Sequence, residues 1–503
     1  MGSATGSSLP LGASGAAGTL GGSTSVFDRL PDDVLLAILS GLMVAERTRL
    51  ARVSRRFCRL STSPELLPAS LEVSILSRSR LDVRAASLRA WLQRHALVPR
   101  LRQLSLTVRQ DVNMSDPPAA YEEPQARQAL AELRVALLAA FGGGFSTGEP
   151  GALQLWVSLA GPFCLDASWL PALRGLSSLE LGGNISQVSA PLQRLTQLRS
   201  FSLCHNMNAI GTMASGHTYG LPASLTSLAL LKDHSFSLPQ AVGQLTLLEE
   251  LKLQDCSFMS SAFDCLVDLP ALRRLSLVNC DRSPEGLPRC LPALTRLEGL
   301  HWQGGYVFDD PEEAAQELDF QLSPLTQLTY LWFHDTLSRE DDEFGELFWE
   351  RIPSALLGMT RLHTLGWLLP PSEAALPGSE GGGAGGGGSW LAGLRALALP
   401  ADVAQRSLGQ LHQATALETL CVTGWAHSSG EQQAEVLGLA GQLPSLRRLS
   451  YQAAGSFHDQ TEQAAGLDLD ILAAAAAARS SSPQLHIDAQ GSALLAELQC
   501  GYA

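Results

Sequence analysis

The sequence predicts an α/β solenoid, in which parallel strands lie side by side and helical turns connect them. A chain of 503 residues is too long for one compact core. One leucine-punctuated phrase of about twelve residues recurs about twelve times along the chain. A repeat of this kind resolves the length problem, because each copy buries its apolar face against its neighbours and the stack shares one elongated core.

The repeated phrase is LxxLxxLxLxxN or close to it. The cleanest copies begin at Leu173, Leu195, Leu245 and Leu269. Its seventh position advances ten steps over the 270 residues from Leu179 to Leu449, an average of 27. This period lies within the range of leucine-rich repeats, and the chain resembles that family from about Leu101 to Tyr451. The resemblance implies a curved solenoid with parallel strands on its concave face.

Two segments interrupt the repeat, whose domain we expect over residues 69–503. Residues 111–150 predict an inserted amphipathic helix, because leucines recur there at helical spacing. Its apolar positions are Leu130, Leu133, Leu137 and Phe141. Residues 373–389, EAALPGSEGGGAGGGGS, predict a flexible Gly-rich loop inside one repeat.

A short unit with a different rhythm precedes the repeats, over residues 27–68. In its first part, LPDDVLLAILSGL, Pro31 suits the start of a helix, and Asp32 and Asp33 favour the positive end of the helix dipole. Two further short helices can follow. Apolar residues cover more than one face, although a unit near 40 residues seldom folds alone. The surplus apolar surface predicts a covering partner.

The segment LPDDVLLAILSGL…LARVSRRFCRLSTSPELL resembles the F-box, whose pattern is roughly LPxExLxxIxxxL…LxxVCRxWxxLxxxxxLW. The sequence departs from that pattern at Ser54, Phe57 and Leu67, where the family has Cys, Trp and Trp. The resemblance implies a three-helix F-box that docks a Skp-type adaptor and, through it, a cullin. It assigns the adaptor contacts to Leu30, Pro31, Val34, Leu35, Ile38, Leu39, Leu42, Leu50, Val53 and Phe57.

An F-box in front of leucine-rich repeats implies a substrate-recognition subunit of a Skp-cullin-F-box ubiquitin ligase, which is not itself an enzyme. The repeats would then bind a protein substrate. One alternative is a leucine-rich repeat interaction scaffold without a ligase role, in which the F-box-like helices only cap the solenoid. A small-molecule receptor is a third hypothesis, since some family members hold a ligand in the groove.

The predicted substrate groove lies on the sheet face opposite the inward leucines, because side chains alternate along a strand. Candidate substrate-binding residues there are His205, Lys232, Lys252, Asp255, His301, Trp332, His334 and Asp335. The later repeats place smaller residues on this face, such as Ala396, Ala398 and Ala401.

Charge and cysteine content argue against several other functions. A net charge of −14 and a pI near 5.3 disfavour nucleic acid as a partner, because phosphate binding depends on clustered Lys and Arg. Nine cysteines without a CxxC pair fit a reduced protein of the cytoplasm or nucleus. Residues 1–26 lack any charge and predict a disordered lead rather than a secretory signal.

Membrane and catalytic motifs are also missing from the sequence. No apolar run reaches the ~18 residues of a membrane span. No phosphate loop, GxSxG elbow or HExxH motif occurs. His205, His301 and His334 come from separate repeats, which disfavours a metal site. We therefore expect no cofactor, no metal and no catalytic residue.

Overall fold

The computed structural model divides the chain into two units, residues 1–69 and 70–503. The residues that the structure describes are 30–42, 44–61, 63, 70–76, 103–109, 128, 131–135, 137–138, 153–160, 164–166, 168–173, 175–186, 192–205, 221–231, 242–256, 260–280, 287–304, 311–335, 352–368, 375–377, 390–423, 435–436, 438, 442–452 and 486–488. The predicted lead, residues 1–26, lies outside this part of the chain.

The first unit contains three helices, α1 (Asp32–Ser40), α2 (Val44–Leu50) and α3 (Arg55–Ser61). Helix α1 begins directly after Pro31, whose extended backbone ends the preceding segment. A small core holds the unit together. It consists of the buried Leu35, Leu39 and Leu60, and Leu30, Leu36, Leu42, Leu50 and Phe57 pack around them.

Polar contacts join α3 to α1. The guanidinium of Arg56 donates to Asp32 Oδ1 over 2.6 Å and to the carbonyl oxygen of Leu30 over 2.5 Å. Arg59 donates to Asp32 Oδ2. The hydrogen bond from Arg56 lowers the pKa of the Asp32 carboxyl. The acidic residue of the first turn of α1 therefore fixes α3 as well as favouring the helix dipole.

The second unit contains a sixteen-stranded sheet in its described part, and every strand pair is parallel. Strand β4 pairs only with β5, outside the main order. The strands are β1 (Ser70–Leu76), β2 (Gln103–Arg109), β3 (Leu153–Ala160), β4 (Cys164–Asp166), β5 (Leu176–Ser186), β6 (Ser200–His205), β7 (Ser227–Leu231), β8 (Glu250–Gln254), β9 (Arg274–Val278), β10 (Gly299–Gly304), β11 (Tyr330–Asp335), β12 (Thr364–Leu368), β13 (Ala396–Pro400), β14 (Thr419–Thr423), β15 (Arg448–Gln452) and β16 (His486–Asp488).

The inward leucines of successive strands pair with one another, and this register confirms the repeat solenoid. Across β5 to β15 the seventh position of each phrase faces its counterpart in the next strand. The aligned residues are Leu179, Phe201, Leu228, Leu251, Leu275, Leu300, Leu331, Leu365, Leu397, Leu420 and Leu449. All of them are buried, and they belong to one core cluster that extends from Leu104 to Leu449.

Three adjacent strands place aromatic side chains beside one another in this core. Trp302, Phe333 and Trp367 follow the inward leucine by two residues on β10, β11 and β12. Their ring centroids are 5.7 Å apart between Trp302 and Phe333, and 5.3 Å apart between Phe333 and Trp367. We call these three rings the aromatic ladder. They pack three adjacent repeats together in addition to the paired leucines of the same strands.

Helical segments connect the strands and complete the core. The α-helices of the repeat unit include Pro311–Leu322, Ala401–Arg406 and Leu408–Leu411. Its 3-10 segments include Leu170–Ala172, Val242–Gln244, Ser260–Asp268, Leu291–Ala293, Ser354–Gly358 and Trp390–Gly393. In the predicted insertion, residues 131–135 and 137–138 are helical, and Leu133 and Leu137 are buried in the core. Leu130 and Phe141 lie outside the described residues.

The Gly-rich loop needs one correction, at residues 375–377. Leu376 is buried in the solenoid core, and its backbone N–H donates to Ser407 Oγ over 2.8 Å. The sequence predicted flexibility because glycines dominate the segment, but one leucine is enough to anchor it. The rest of the loop lies outside the described residues.

Asp255 and Asn279 follow β8 and β9 in the left-handed backbone conformation, with φ of 52° and 50°. The Asn279 amide donates to Asp255 Oδ1 over 3.0 Å, and the backbone N–H of Asp255 donates to the Val278 carbonyl. Left-handed backbone costs most residues about 1–2 kcal/mol, and after glycine Asn and Asp tolerate it best. These two residues therefore allow the chain to turn out of the sheet.

Replacing Asn279 by valine should lower the free energy of unfolding by about 1 kcal/mol more than replacing it by glycine. Both variants lose the hydrogen bond to Asp255, so the difference between their free energies of unfolding reports backbone strain. Urea unfolding measures this difference. At the exposed strand residue Arg274 the order should reverse, because extended backbone favours valine. Equal stability of the two Asn279 variants would contradict the strain.

Candidate functional site

The first unit exposes three of the apolar side chains that the F-box resemblance assigned to an adaptor. The exposed fraction is 39% for Val34, 48% for Ile38 and 69% for Val53. Val34 and Ile38 are four residues apart on α1, so they lie on the same side of that helix. Pro31 is also exposed, at the beginning of α1. Pro31, Val34 and Ile38 offer an apolar surface on the first helix, and Val53 is exposed in the turn between α2 and α3.

Two of the predicted adaptor contacts, Leu35 and Leu39, are buried and need correction. Both side chains are 1% exposed and form the core of the three helices with Leu60, so they cannot offer surface to a partner while the unit stays folded. Leu30, Leu42, Leu50 and Phe57 pack around that core and are only partly accessible. The sequence pattern could not separate the two groups, because apolar residues surround α1.

Ser54, one of the departures from the F-box pattern, has a local structural role. Its hydroxyl accepts a hydrogen bond from the backbone N–H of Phe57 over 3.1 Å. Serine is a favoured residue before the first turn of a helix because it satisfies one of the unpaired N–H groups there. The departure therefore supports the start of α3.

In the repeat unit, the sheet face opposite the leucine core is the predicted groove, and we call it the groove face. One residue of each strand stands between two inward side chains and pairs with its counterpart in the next strand. From β3 to β15 this row is Trp156, Glu180, Ser202, Ala229, Lys252, Ser276, His301, Trp332, Gly366, Ala398, Cys421 and Ser450. The row places Trp332 directly beside His301.

Burial divides the groove face into two parts. From Ser276 on β9 to Ser450 on β15 the residues of the row are buried. From Glu180 on β5 to Lys252 on β8 they are only partly buried, and Trp156 on β3 is 44% exposed. The accessible part of the predicted groove is therefore formed by β3 to β8.

Trp332 is the centre of the buried part. It forms a second, smaller apolar cluster with Leu368, Ala398 and Cys421, and Tyr330 stacks on it with ring centroids 6.3 Å apart. The indole occupies the space where the next strand carries Gly366. A Cβ atom at that glycine would lie 2.2 Å from Trp332 Cε3, closer than any real contact. The glycine is therefore what allows the ring to occupy this space.

His301 and His334 lie beside this cluster, and both have lowered pKa values. His301 contacts Trp332 edge-on, and its Nδ1 is 3.4 Å from Ser276 Oγ. Burial, with smaller contributions from the charges of Lys252 and His334, lowers the pKa of His301 to about 4. Burial also lowers the pKa of His334 to about 4. Both imidazoles are neutral at pH 7.

The structure separates the other predicted substrate-binding residues. Lys252 is partly buried in the accessible part of the groove face. Asp255 is held at its turn by Asn279, as described above. Lys232 and the side chains of His205 and Asp335 lie outside the described residues. His301 and Trp332 do come together, but they are buried rather than open to a partner.

Ala396, Ala398 and Ala401 are buried as well. Ala396 and Ala398 belong to β13, whereas Ala401 begins the helix Ala401–Arg406 and packs in the leucine core. The prediction that all three face the groove is wrong for Ala401, because the strand ends at Pro400.

Sequence reasoning missed Trp156 and Glu180, which pair across β3 and β5 on the groove face. For Trp156 the reason is that strand β3 follows the inserted segment and lacks the LxxL half of the repeated phrase, so the repeat pattern did not reveal it. Glu180 lies in the clean copy that begins at Leu173 and was not chosen as a candidate. The alternation in LQLWVSL was the available signal, since period-two apolar residues indicate a strand.

Within the described ranges, no group of three His, Cys, Asp or Glu side chains could hold a metal ion. In the same part of the chain, no helix has the length and apolar character needed to cross a membrane.

Comparison with known proteins identifies the first unit. Residues 27–71 match the F-box-like family model. No curated protein matches the chain in sequence. Among solved structures, an internalin from Listeria monocytogenes is similar at 16% identity and a TM-score of 0.33, over 75% of this chain and 95% of its own. A leucine-rich repeat protein from Leptospira interrogans is similar at 13% identity and a TM-score of 0.30, over 76% and 94%. The assignment of the repeat fold rests on the sheet register rather than on these likenesses.

Proposed function

We propose that this chain, an F-box protein with leucine-rich repeats, is the substrate-recognition subunit of a Skp-cullin-F-box ubiquitin ligase. Its F-box would bind a Skp-type adaptor, and its repeats would bind the protein to be modified. The chain itself would be non-catalytic, and the ligation chemistry would belong to other subunits. The match of residues 27–71 to the F-box-like family supports this proposal.

The observation that favours an adaptor is the apolar surface around α1. Val34 and Ile38 on α1 are accessible, and so is Val53 between α2 and α3, although the unit has too few residues to leave apolar area open without cost. Each Å² of apolar surface removed from water contributes ~25 cal/mol, so a partner that covers these side chains gains affinity. Exposed apolar patches of this kind mark interaction sites.

The alternative function is an interaction scaffold without a ligase role. It needs no adaptor, and the helical unit would only cap the repeats, as solenoid ends require. The two functions differ in one measurable property, which is direct affinity for a Skp-type adaptor.

Replacing Ile38 by aspartate should weaken adaptor binding at least tenfold, because the variant places a charge in the apolar contact. Calorimetry with the purified full-length chain and a purified Skp-type adaptor measures the affinity. Leu247→Asp is a matched control, since Leu247 is also 48% exposed but belongs to the repeat unit. That control should bind like the unchanged chain.

Two outcomes would contradict the proposal or its site. If the unchanged chain does not bind the adaptor, the ligase function is wrong and the scaffold is favoured. If Ile38→Asp and Leu247→Asp bind equally well, the adaptor does not contact α1 at Ile38. Circular dichroism of both variants separates lost binding from lost folding.

The proposal also includes a cytoplasmic or nuclear location. None of the seven cysteines whose side chains the structure describes forms a disulfide, as expected in a reducing compartment.

A further inference from the structure

We propose that Trp156 and Glu180 form a binding site for an arginine side chain of the protein that the repeats recruit. The site rests on the proposed function only in taking the recruited ligand to be a protein. It lies on β3 and β5, two strands of the accessible part of the groove face on which sequence reasoning placed no candidate.

The geometry brings an aromatic ring and a carboxylate to adjacent strands. Trp156 on β3 and Glu180 on β5 are direct partners in the parallel register, and neighbouring strands lie about 4.8 Å apart. Both side chains project from the groove face, because the residues on either side of each, such as Leu155 and Leu179, face the core. Trp156 is the only tryptophan in the described part of the chain with a largely exposed side chain.

The Glu180 carboxylate is partly buried. Burial raises its pKa, while a hydrogen bond from the Trp156 side chain and the charge of Lys252 act in the opposite direction. Lys252 is on β8, three strands away from β5. No salt bridge joins Glu180 to another described residue. A cation that arrives beside Glu180 would therefore restore favourable contacts that water supplies only in part.

Arginine fits this pair better than other side chains. Its planar guanidinium can stack on an indole and can donate two parallel hydrogen bonds to a carboxylate. An apolar side chain would cover Glu180 without pairing it, which costs free energy. A phosphate or an acidic side chain would be repelled by Glu180 and by the net charge of −14.

The surroundings leave room for a long side chain. Most residues next to the pair on the groove face are small, namely Ser105, Ser158, Ser178, Gly182 and Ser202. The one longer neighbour is Gln154, which is exposed two residues before Trp156 on β3. The serine hydroxyls and the Gln154 amide oxygen can accept hydrogen bonds from guanidinium N–H groups that do not reach the carboxylate.

The experiment uses the purified full-length chain and three blocked pentapeptides, acetyl-GGRGG-amide, acetyl-GGKGG-amide and the matched peptide with citrulline at the centre. Citrulline keeps the shape of arginine but has no charge. Titration calorimetry or quenching of tryptophan fluorescence measures binding. We expect the arginine peptide to bind at least fivefold more tightly than the citrulline peptide, with lysine between them.

Variants of the chain test the two residues. Trp156→Ala and Glu180→Gln should each weaken arginine-peptide binding at least fivefold, whereas Trp156→Phe should retain part of it. Glu250→Gln is the matched control, because Glu250 is a partly buried carboxylate on β8 of the same sheet. It should bind like the unchanged chain.

The proposal is overturned if Glu180→Gln binds the arginine peptide as the unchanged chain does, or if arginine and citrulline peptides bind equally. Equal binding of lysine and arginine would overturn the assignment to arginine. Adaptor affinity is measured on the same preparations. A chain that binds the adaptor but not the arginine peptide contradicts only this site, and the reverse result contradicts only the ligase function.

Discussion

Replacing Trp332 by alanine is expected to lower the free energy of unfolding by about 3–5 kcal/mol, the usual cost of removing a buried tryptophan. The ring is fully buried on the groove face and is the largest member of its cluster. Its loss leaves Leu368, Ala398 and Cys421 without their common neighbour. Urea unfolding followed by circular dichroism measures the change.

A substitution at Gly366 tests the same packing, because an added methyl group there would displace the Trp332 ring. Gly366→Ala puts a methyl group where the indole lies, so the ring must shift, and overpacking of this kind costs about 1–3 kcal/mol. In the double variant Trp332→Ala/Gly366→Ala the added methyl has space. The effects should therefore not add, and the second substitution should cost little once the ring is gone.

Gly409→Ala is the control for the glycine substitution. No atom lies within 4 Å of a Cβ built at Gly409, which is part of the helix Leu408–Leu411. Alanine there should be neutral or slightly stabilising, because it has the higher helix propensity. Additive effects of Trp332→Ala and Gly366→Ala would show that the two residues do not share the space described here.

The free energy of unfolding should also fall as the pH is lowered from about 6.5 to about 4. Each of His301 and His334 should contribute a loss of up to about 3 kcal/mol. The folded protein keeps both imidazoles neutral, since burial lowers their pKa to about 4. The unfolded chain binds protons at the ordinary pKa near 6.5. Protons therefore favour the unfolded state in this range, and the stabilisation is fully present above pH 6.5.

Histidine variants isolate this contribution from the carboxylates that titrate in the same range. His301→Gln and His334→Gln should each make the stability curve less steep between pH 6.5 and 4. His412→Gln is a suitable control, because His412 is exposed in a turn. Curves of unchanged slope in both buried-site variants would contradict the predicted loss.

Leucine spacing was sufficient to predict the parallel repeat, because the inward position of each strand depends only on the chain's own period. The depth of Trp332 was not predictable in the same way. It depends on the glycine that the next repeat supplies at Gly366, and a single-strand pattern does not include the neighbour. His301 was misjudged as open for the same reason.

The F-box unit shows a second limit of sequence reasoning. The pattern identified the family segment, but it treated Leu35 and Ile38 alike as contacts, although one is core and the other surface. Apolar residues around the whole of α1 carry no information about which side the two other helices cover. Trp156 was missed because the insertion before β3 removed the first half of the repeated phrase.

The aromatic ladder of Trp302, Phe333 and Trp367 makes the solenoid mechanically uneven. A repeat array behaves as a one-dimensional chain in which each unit is coupled to its neighbours, and the coupling energy sets how far cooperativity extends. Rings on the core face, with Trp332 and Gly366 on the groove face, couple β10, β11 and β12 from both sides. These three strands form a stiff segment, and thermal fluctuations that separate repeats will concentrate in the flanks on either side of it.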